Sequence, residues 1–340
     1  MLQLDHMHEY FLSKKVLITG AAGFIGSNLV DALLAAGAEV LGVDNFLSGR
    51  KSNLEHVVSN ASFSSRFTFI EADISQEAEK YLPQNYKPDL VLHFASPASP
   101  PLYQTFPVET YLVNSFGTHY LLDYLQKHSP TTRFLFASTS EVYGDPKIHP
   151  QPESYWGNVN PNGPRSCYDE AKRLGETITG IFFQKYKLDT RIVRIFNTYG
   201  PRINPADKRV VPDFIMQALR GQSMRIFGDG TQTRSYCFVD DLVEGILLYA
   251  SLDSGAGLTL NLGNPEEMSV AVTAETISEL VKEMYGIVAP APEYHPLPQD
   301  DPMRRKPDIS LAQEHLNWAP QITFREGVKR TIEYMKLHEE

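Results

Sequence analysis

Tyr168 and Lys172 stand four residues apart in the stretch SCYDEAKR, residues 166–173. On a helix, positions i and i+4 lie one above the other, so a phenol and an ammonium would share one face. A free tyrosine titrates near pH ~10, too high for a base at neutral pH. A neighbouring cation favours the phenolate and lowers that value. The spacing alone says little, because both residue types are common on solvated helix faces. It gains meaning from RFLFAS (133–138), which reads as a strand and runs straight into Thr139, Ser140 and Glu141. In an α/β sheet the carboxyl ends of strands face the ligand. A hydroxyl from Thr139 could therefore sit beside the Tyr168 phenol, and the chemistry on offer is removal of a proton from a hydroxyl group.

A second cluster explains where such a reaction would send its electrons. Gly20-Ala21-Ala22-Gly23-Phe24-Ile25-Gly26 follows the apolar run KVLIT (15–19) and opens the helical pattern of 25–36, with Gly37 as a plausible stop. Glycines there let the backbone turn tightly and approach a pyrophosphate at a helix N-terminus. EVLGVD (39–44) ends in Asp44, whose carboxylate can accept hydrogen bonds from an adenosine ribose and would repel a 2′-phosphate. NAD is thus favoured over NADP, and its positive nicotinamide ring would add to the cation beside Tyr168. Asn45 and Ser48 follow Asp44. Asp73 and Ile74 follow the strand FTFIEA (67–72), with Asp73 read either as an adenine-end contact or as a cap for a helix over 75–82. Ala95 and Ser96 follow DLVLHFA (89–95). All of these are assigned to the cofactor, as are Tyr168 and Lys172.

The elements that must hold these residues alternate strand and helix. After the first β-α-β unit come the strands just named, a helix over 108–127, the strand 133–138, a helix over 168–186 and the strand TRIVRI (190–195). Strands apolar on both faces imply a parallel sheet covered on both sides. The fold class is α/β: a Rossmann-type doubly wound parallel sheet with a smaller, loop-rich C-terminal region for substrate. The expected organisation is a short extension (1–13), a dinucleotide-binding domain (14–196, rejoined by about 235–262) and a substrate region (197–234 and 263–335). Six prolines within 287–307 mark the loop-rich part.

The 340 residues carry 31 basic and 41 acidic side chains, a formal charge of −10. That balance argues against nucleic acid or an anionic membrane as partner. Only Cys167 and Cys237 are present, too few for a disulfide framework. No apolar stretch approaches the roughly 18 residues of a membrane span, and the opening residues lack a signal-peptide core. The expectation is a cytoplasmic protein. His93 is expected to be structural, and no His/Cys spacing suggests a metal.

TGAAGFIG (19–26), the strand end at Ser138-Thr139 and YDEAK (168–172) together resemble the extended short-chain dehydrogenase/reductase family of nucleotide-sugar epimerases, dehydratases and decarboxylases. The resemblance runs from about residue 14 to 335. HFASPASPP (93–101), ASTSEVYGDP (137–146), NPNGPRSCYDEAKR (160–173), RIFNTYGPR (194–202), QTRSYCFVDDLV (232–243), NLGNPEE (261–267) and DDPMRRKPDI (300–309) are most similar to its UDP-glucuronate decarboxylases. It implies that Tyr168 takes the C4 hydroxyl proton of a UDP-sugar while hydride passes to NAD, with Thr139 on the same oxygen. Family dehydratases carry Asp-Glu after the Thr; here the pair is Ser140-Glu141, which lacks the acid that expels a C6 hydroxyl. Simple 4-epimerisation needs no carboxylate there. A 4-keto uronate can instead lose CO₂, leaving an enolate that Tyr168 and Thr139 stabilise; 4-epimerisation of the same uronate is the alternative. Ser140 and Glu141 would orient the sugar or shape the carboxylate pocket. Asn197, Arg234 and Arg305 match positions around the diphosphate, where arginine forks are needed. Arg305 could equally meet the sugar carboxylate. Arg202 and Arg209 are further candidates, and Val210, Val211 and Phe227 could line the base pocket. The resemblance also implies a homodimer through helices 108–127 and 168–186, where Tyr120, Leu121, Tyr124, Ile178 and Phe182 either lie on outer faces that would pair or pack on the sheet.

Overall fold

The computed structural model describes Met7 and residues 9–297 and 304–338, so part of the 1–13 extension and residues 300–303 of the DDPMRRKPDI motif lie outside the described residues. Its centre is a seven-stranded parallel sheet: β1 (Lys15–Thr19), β2 (Glu39–Asp44), β3 (Phe67–Glu71), β4 (Leu90–His93), β5 (Arg133–Thr139), β6 (Thr190–Ile195) and β7 (Thr259–Leu262). The order across the sheet is β7-β6-β5-β4-β1-β2-β3. The chain therefore winds one way through β3 and the other way from β4 onward. Connections leaving β1 and β4 diverge, which opens a crevice at their carboxyl ends. Val16, Leu17 and Ile18 of β1 and Leu90, Val91 and Leu92 of β4 are all buried, as central parallel strands require. The outer strand β3 departs from this pattern, with Thr68 and Glu71 exposed.

Helix α1 (Phe24–Ala35) buries Leu29, Val30, Leu33 and Leu34 and packs against the late helix Val239–Ser251. That packing and the pairing of β7 with β6 return the chain after residue 238 to the large sheet. The remaining segments form small sheets over the crevice. In one of them Thr233–Ser235 lies between Glu267–Ser269 and Arg304–Arg305.

The helix expected over 108–127 is present as one continuous run over 107–128, made of Pro107–Leu112, a wider π turn over Val113–Gly117, and α2 (Thr118–His128). Polar side chains bond back onto the carbonyls at that wider turn. Asn114 Nδ2 donates to the Thr110 carbonyl at 2.8 Å, and Thr118 Oγ1 to the Asn114 carbonyl at 2.8 Å. The helix expected over 75–82 is only a 3-10 turn, Ala78–Lys80. Asp73 instead accepts from the Ser75 backbone N–H at 2.9 Å, closing a local turn.

Helix α3 (Ser166–Tyr186) lies beside α2, and its Gly175 sits against Phe136 of β5. Leu121, Tyr124 and Phe182 point inward and are buried in the core, contrary to the outer-face alternative. The exposed apolar side chains of this layer are others: Phe116, Leu174 and Ile181, each 48% exposed, with Val108 and Tyr111 nearby. The helical phase fixes this, because the sheet claims the stripe that carries Leu121 and Phe182.

Candidate active site

One cavity of about 720 Å³ runs along the carboxyl edge of the sheet, from Gly20 at one end to Arg305 at the other. Every candidate cofactor, catalytic and substrate residue named from the sequence borders it, although they come from stretches spread from Gly20 to Arg305.

At the dinucleotide end, Gly20 adopts φ +75°, and a Cβ there would lie 2.7 Å from the Ala95 backbone nitrogen. A Cβ on Gly26 would meet the Gly20 carbonyl oxygen at 2.0 Å. Only glycine fits either position. Helix α1 starts at Phe24 with no side-chain cap and no acidic residue in its first turn, so its positive end faces the cavity uncompensated. Such an end suits a pyrophosphate. Asp44 is held by the Ala22 and Phe46 backbone N–H groups at 2.9 and 2.8 Å. Burial raises its pKa, and those N–H groups oppose the rise. Ser96 Oγ accepts from Asn114 Nδ2 at 2.8 Å, so the π turn also positions this loop. These features fit an NAD-type dinucleotide.

At the middle of the cavity, the Thr139 hydroxyl hydrogen-bonds the Tyr168 phenol. Lys172 Nζ lies 5.8 Å from the centre of the Tyr168 ring and donates to the Ala137 carbonyl at 2.7 Å. Both side chains are almost fully buried, 5% and 3% exposed. Burial decides their protonation in the chain by itself. It lowers Lys172 to about 7, with Glu176 opposing the shift, and it raises the Tyr168 phenol well above its ordinary range, with Thr139 pulling the other way. The expected depression of the phenol by Lys172 is therefore absent, because desolvation disfavours both charged forms. Behind the pair, Glu176 receives a bidentate fork from Arg194 at 2.9 and 2.7 Å and the Ser138 hydroxyl at 2.5 Å. Ser138 thus serves the scaffold, and Thr139 serves the phenol.

At the far end, charges converge on Glu141. Arg165 Nη2 reaches its Oε2 at 2.6 Å and Arg305 Nη2 at 3.4 Å. Burial raises this carboxyl, but Arg305, Arg165 and Arg234 outweigh it and hold it well below the carboxylate range. Arg305 also donates to Ser140 Oγ and to the Gly144 carbonyl, both at 3.0 Å. Its Nε is buried without a partner. Arg234 and Arg305 are register partners in adjacent strands. Placing two guanidinium groups side by side favours an anionic ligand between or beside them.

Other arginines have different roles. Arg202 is engaged by Asp31 and donates to the Ser27 carbonyl at 2.8 Å, so it ties the loop after residue 200 to α1. Arg209 forks onto Asp207, with Nη2 to Oδ2 at 2.8 Å, and raises the positive potential at Tyr168. Val210 and Phe227 border the cavity, Phe227 with 41% of its surface open. His93 is buried between the Thr19 and Thr118 hydroxyls, as a structural residue. Among the described residues no His/Cys/Asp/Glu group could hold a metal.

Three further residues escaped the sequence reading. Tyr103 stacks on Tyr168, rings 5.0 Å apart and 5° from parallel, with its hydroxyl buried and unpartnered. Arg165, three residues before Tyr168, was visible only as part of a motif. Asp169 is buried beside the same cluster. Cys167 packs, its Sγ 3.4 Å from the Tyr103 carbonyl.

Residues 16–263 match the model of the NAD dependent epimerase/dehydratase family. The chain belongs to that family. A UDP-glucuronic acid decarboxylase 1 from Danio rerio is 43% identical over 98% of this chain and 77% of its own length. One from Arabidopsis thaliana is 45% identical over 94% and 69%. Among solved structures, an epimerase from Methanothermobacter thermautotrophicus superposes with TM-score 0.86 at 30% identity, over 99% of this chain and 96% of that one. A UDP-glucuronic acid 4-epimerase from Bacillus cereus, solved with UDP-glucuronic acid and NAD, gives 0.80 at 27% identity, over 95% and 99%.

Proposed function

We propose that the protein is an NAD-dependent UDP-glucuronate decarboxylase that forms UDP-xylose. The carrying observation is the Glu141–Arg165–Arg305 cluster next to the Tyr168–Thr139 pair, supported by relatives named for that activity at 43–45% identity. NAD⁺, when bound, supplies the hydride acceptor and later returns the hydride, and its positive ring favours the phenolate.

The protein's own groups do the remaining work. Thr139 fixes the oxygen of Tyr168, which takes the C4 hydroxyl proton as the alcohol becomes a ketone. Lys172, balanced near neutrality, can hold or release a proton beside the phenol. The ketone makes the C6 carboxylate a β-keto acid. Loss of CO₂ sends the bonding electron pair to the enolate oxygen, where Tyr168 and Thr139 can donate hydrogen bonds. C5 then takes one proton, so the overall reaction consumes one. Ser140 accepts from Arg305 and offers no acid to expel a C6 hydroxyl, which sets this site apart from that of a dehydratase. Asn197, Arg234 and Arg305 are assigned to the nucleotide diphosphate and its sugar, and Val210 and Phe227 to the base side.

No helix among the described residues is long and apolar enough to cross a membrane. With two free cysteines, the reading is a cytoplasmic protein. The face bearing Phe116, Leu174 and Ile181 suits a homodimer in which α2 and α3 pair with their copies. Incubation with UDP-glucuronate and NAD⁺, followed by mass spectrometry, tests the activity. Loss of CO₂ to give a UDP-pentose, abolished by Tyr168→Phe, is expected. An unchanged mass with a new sugar isomer would make the protein a 4-epimerase.

A further inference from the structure

Asp169 follows Tyr168 and lies one helical turn after Arg165, whose carbonyl accepts its backbone N–H at 3.1 Å. The carboxyl group is 6% exposed, and its Oδ1 is buried with no hydrogen-bond partner. Nearly all buried carboxylates are paired or hydrogen-bonded, so an orphaned oxygen calls for a physical reason. An ionised Asp169 would be drawn to Arg165, since i and i+4 share a helix face. Arg165 instead reaches across to Glu141 at 2.6 Å. Asp169 does not border the cavity, so it acts on substrate only through its neighbours.

Those neighbours come from every side. Glu141 follows β5, Arg305 stands on the short strand 304–305, and Tyr103 comes from the helix Pro100–Thr105. Arg165, Cys167, Tyr168 and Glu170 share its own helix. The guanidinium groups of Arg165, Arg234 and Arg305 all act on the Glu141 carboxylate. A second carboxylate at Asp169 would compete with Glu141 for Arg165 and Arg305. It would also add negative charge beside Tyr168.

We propose that Asp169 is a positioning residue, kept as a neutral carboxyl so that Arg165 and Arg305 stay turned on Glu141 and on the carboxylate of the sugar. Burial and the Glu141 carboxylate agree with this, pushing Asp169 up to about 8 against the pull of Arg165 and Arg305. Its ionisation then sets an alkaline limit to substrate capture. The reference to a sugar carboxylate rests on the uronate reading above.

The test compares pH profiles of kcat/KM for UDP-glucuronate in the NAD-loaded wild type and Asp169→Asn, which mimics the neutral acid. The expected wild-type profile falls above pH ~8, chiefly through a rising KM. The variant should keep kcat/KM within about threefold at pH ~7 and move that limb upward by about one unit or more. Lys172 titrates in both proteins and cancels in the comparison. An unmoved limb, or a uniform loss at every pH, would overturn the proposal, because a merely structural aspartate predicts that. Infrared difference spectra between pH ~6 and ~9.5 read the carboxyl without substrate. A protonated-carboxyl band at neutral pH in wild type, absent from Asp169→Asn, is expected. If that band is missing in wild type, the proposal fails whatever the enzyme turns over or however the variant folds. If the band is present but UDP-glucuronate is not converted, the uronate reading fails and the neutral carboxyl stands.

Discussion

Lys172 should make the protein less stable than it could be, and Lys172→Met tests this. The side chain is 3% exposed and is held at about 7, against 10.5 for a free lysine. Below its folded value the unfolded chain binds the proton far better than the folded one. At pH 7 that preference is worth about 4 kcal/mol against folding, at ~1.4 kcal/mol per unit. Methionine loses the 2.7 Å bond to the Ala137 carbonyl and leaves that oxygen short of a partner, a cost of about 1–2 kcal/mol. It keeps the apolar contact with the Phe136 ring, over which Nζ now lies at 5.0 Å. The net expectation is stabilisation by about 2 kcal/mol, or ~4 °C in Tm, together with loss of turnover. The pH dependence follows from the direction of the shift. Between about pH 7 and the unfolded value of ~10.4 the unfolded chain carries more protons, so wild-type stability rises with pH relative to the variant. The difference should be full at or below pH ~7 and shrink by more than half by pH ~9.5. Calorimetry or urea unfolding of the cofactor-free proteins across that range measures it. A variant no more stable than wild type at pH 7, or a difference constant with pH, would refute the argument that burial keeps this lysine near neutrality.

Two further outcomes follow from packing. Gly26→Ala places a Cβ 2.0 Å from the Gly20 carbonyl oxygen and 2.8 Å from its carbon, both backbone atoms that cannot step aside. NAD affinity measured by calorimetry should fall by about 100-fold or more with a cost of ~1–3 kcal/mol in urea unfolding, and wild-type affinity would contradict the cradle. Leu174→Glu combined with Ile181→Glu charges the exposed apolar face of α3, which should convert the proposed dimer to a monomer in sedimentation velocity. An unchanged sedimentation coefficient with a dimeric mass would place the interface elsewhere.

The large sheet was legible because its signals are local. KVLIT, EVLGVD and TRIVRI are short apolar runs with a glycine or aspartate at or beside an end, and they fall on β1, β2 and β6 residue for residue. The glycine loop, Asp44 and the Tyr168–Lys172 spacing were legible for the same reason: each is a motif whose geometry is set within a few residues. What the sequence withheld depends on three-dimensional surroundings. The wider turn at Val113–Gly117, inside a continuous helix, goes with Asn114 and Thr118 turning back onto carbonyls, and periodicity alone does not reveal it. Whether Leu121, Tyr124 and Phe182 face outward or pack on the sheet stayed open in the sequence, and the fold decides it by burying them in the core.

The Tyr168–Lys172 pair carries the same lesson into chemistry. A neighbouring ammonium lowers a tyrosine's pKa when solvent keeps that ammonium charged. Here the fold buries both groups, and desolvation overrides their mutual attraction until a further positive charge arrives. Glu141 shows the opposite balance. It is also buried, yet guanidinium groups from three distant segments keep it ionised. Arg165 begins α3, and Arg234 and Arg305 meet only because the strands 233–235 and 304–305 pair in register. Asp169, buried near the same guanidinium groups, is pushed the other way, because burial and the Glu141 carboxylate outweigh Arg165 and Arg305 there. Burial alone therefore does not set the charge of a group in this cavity; the guanidinium groups that reach it do.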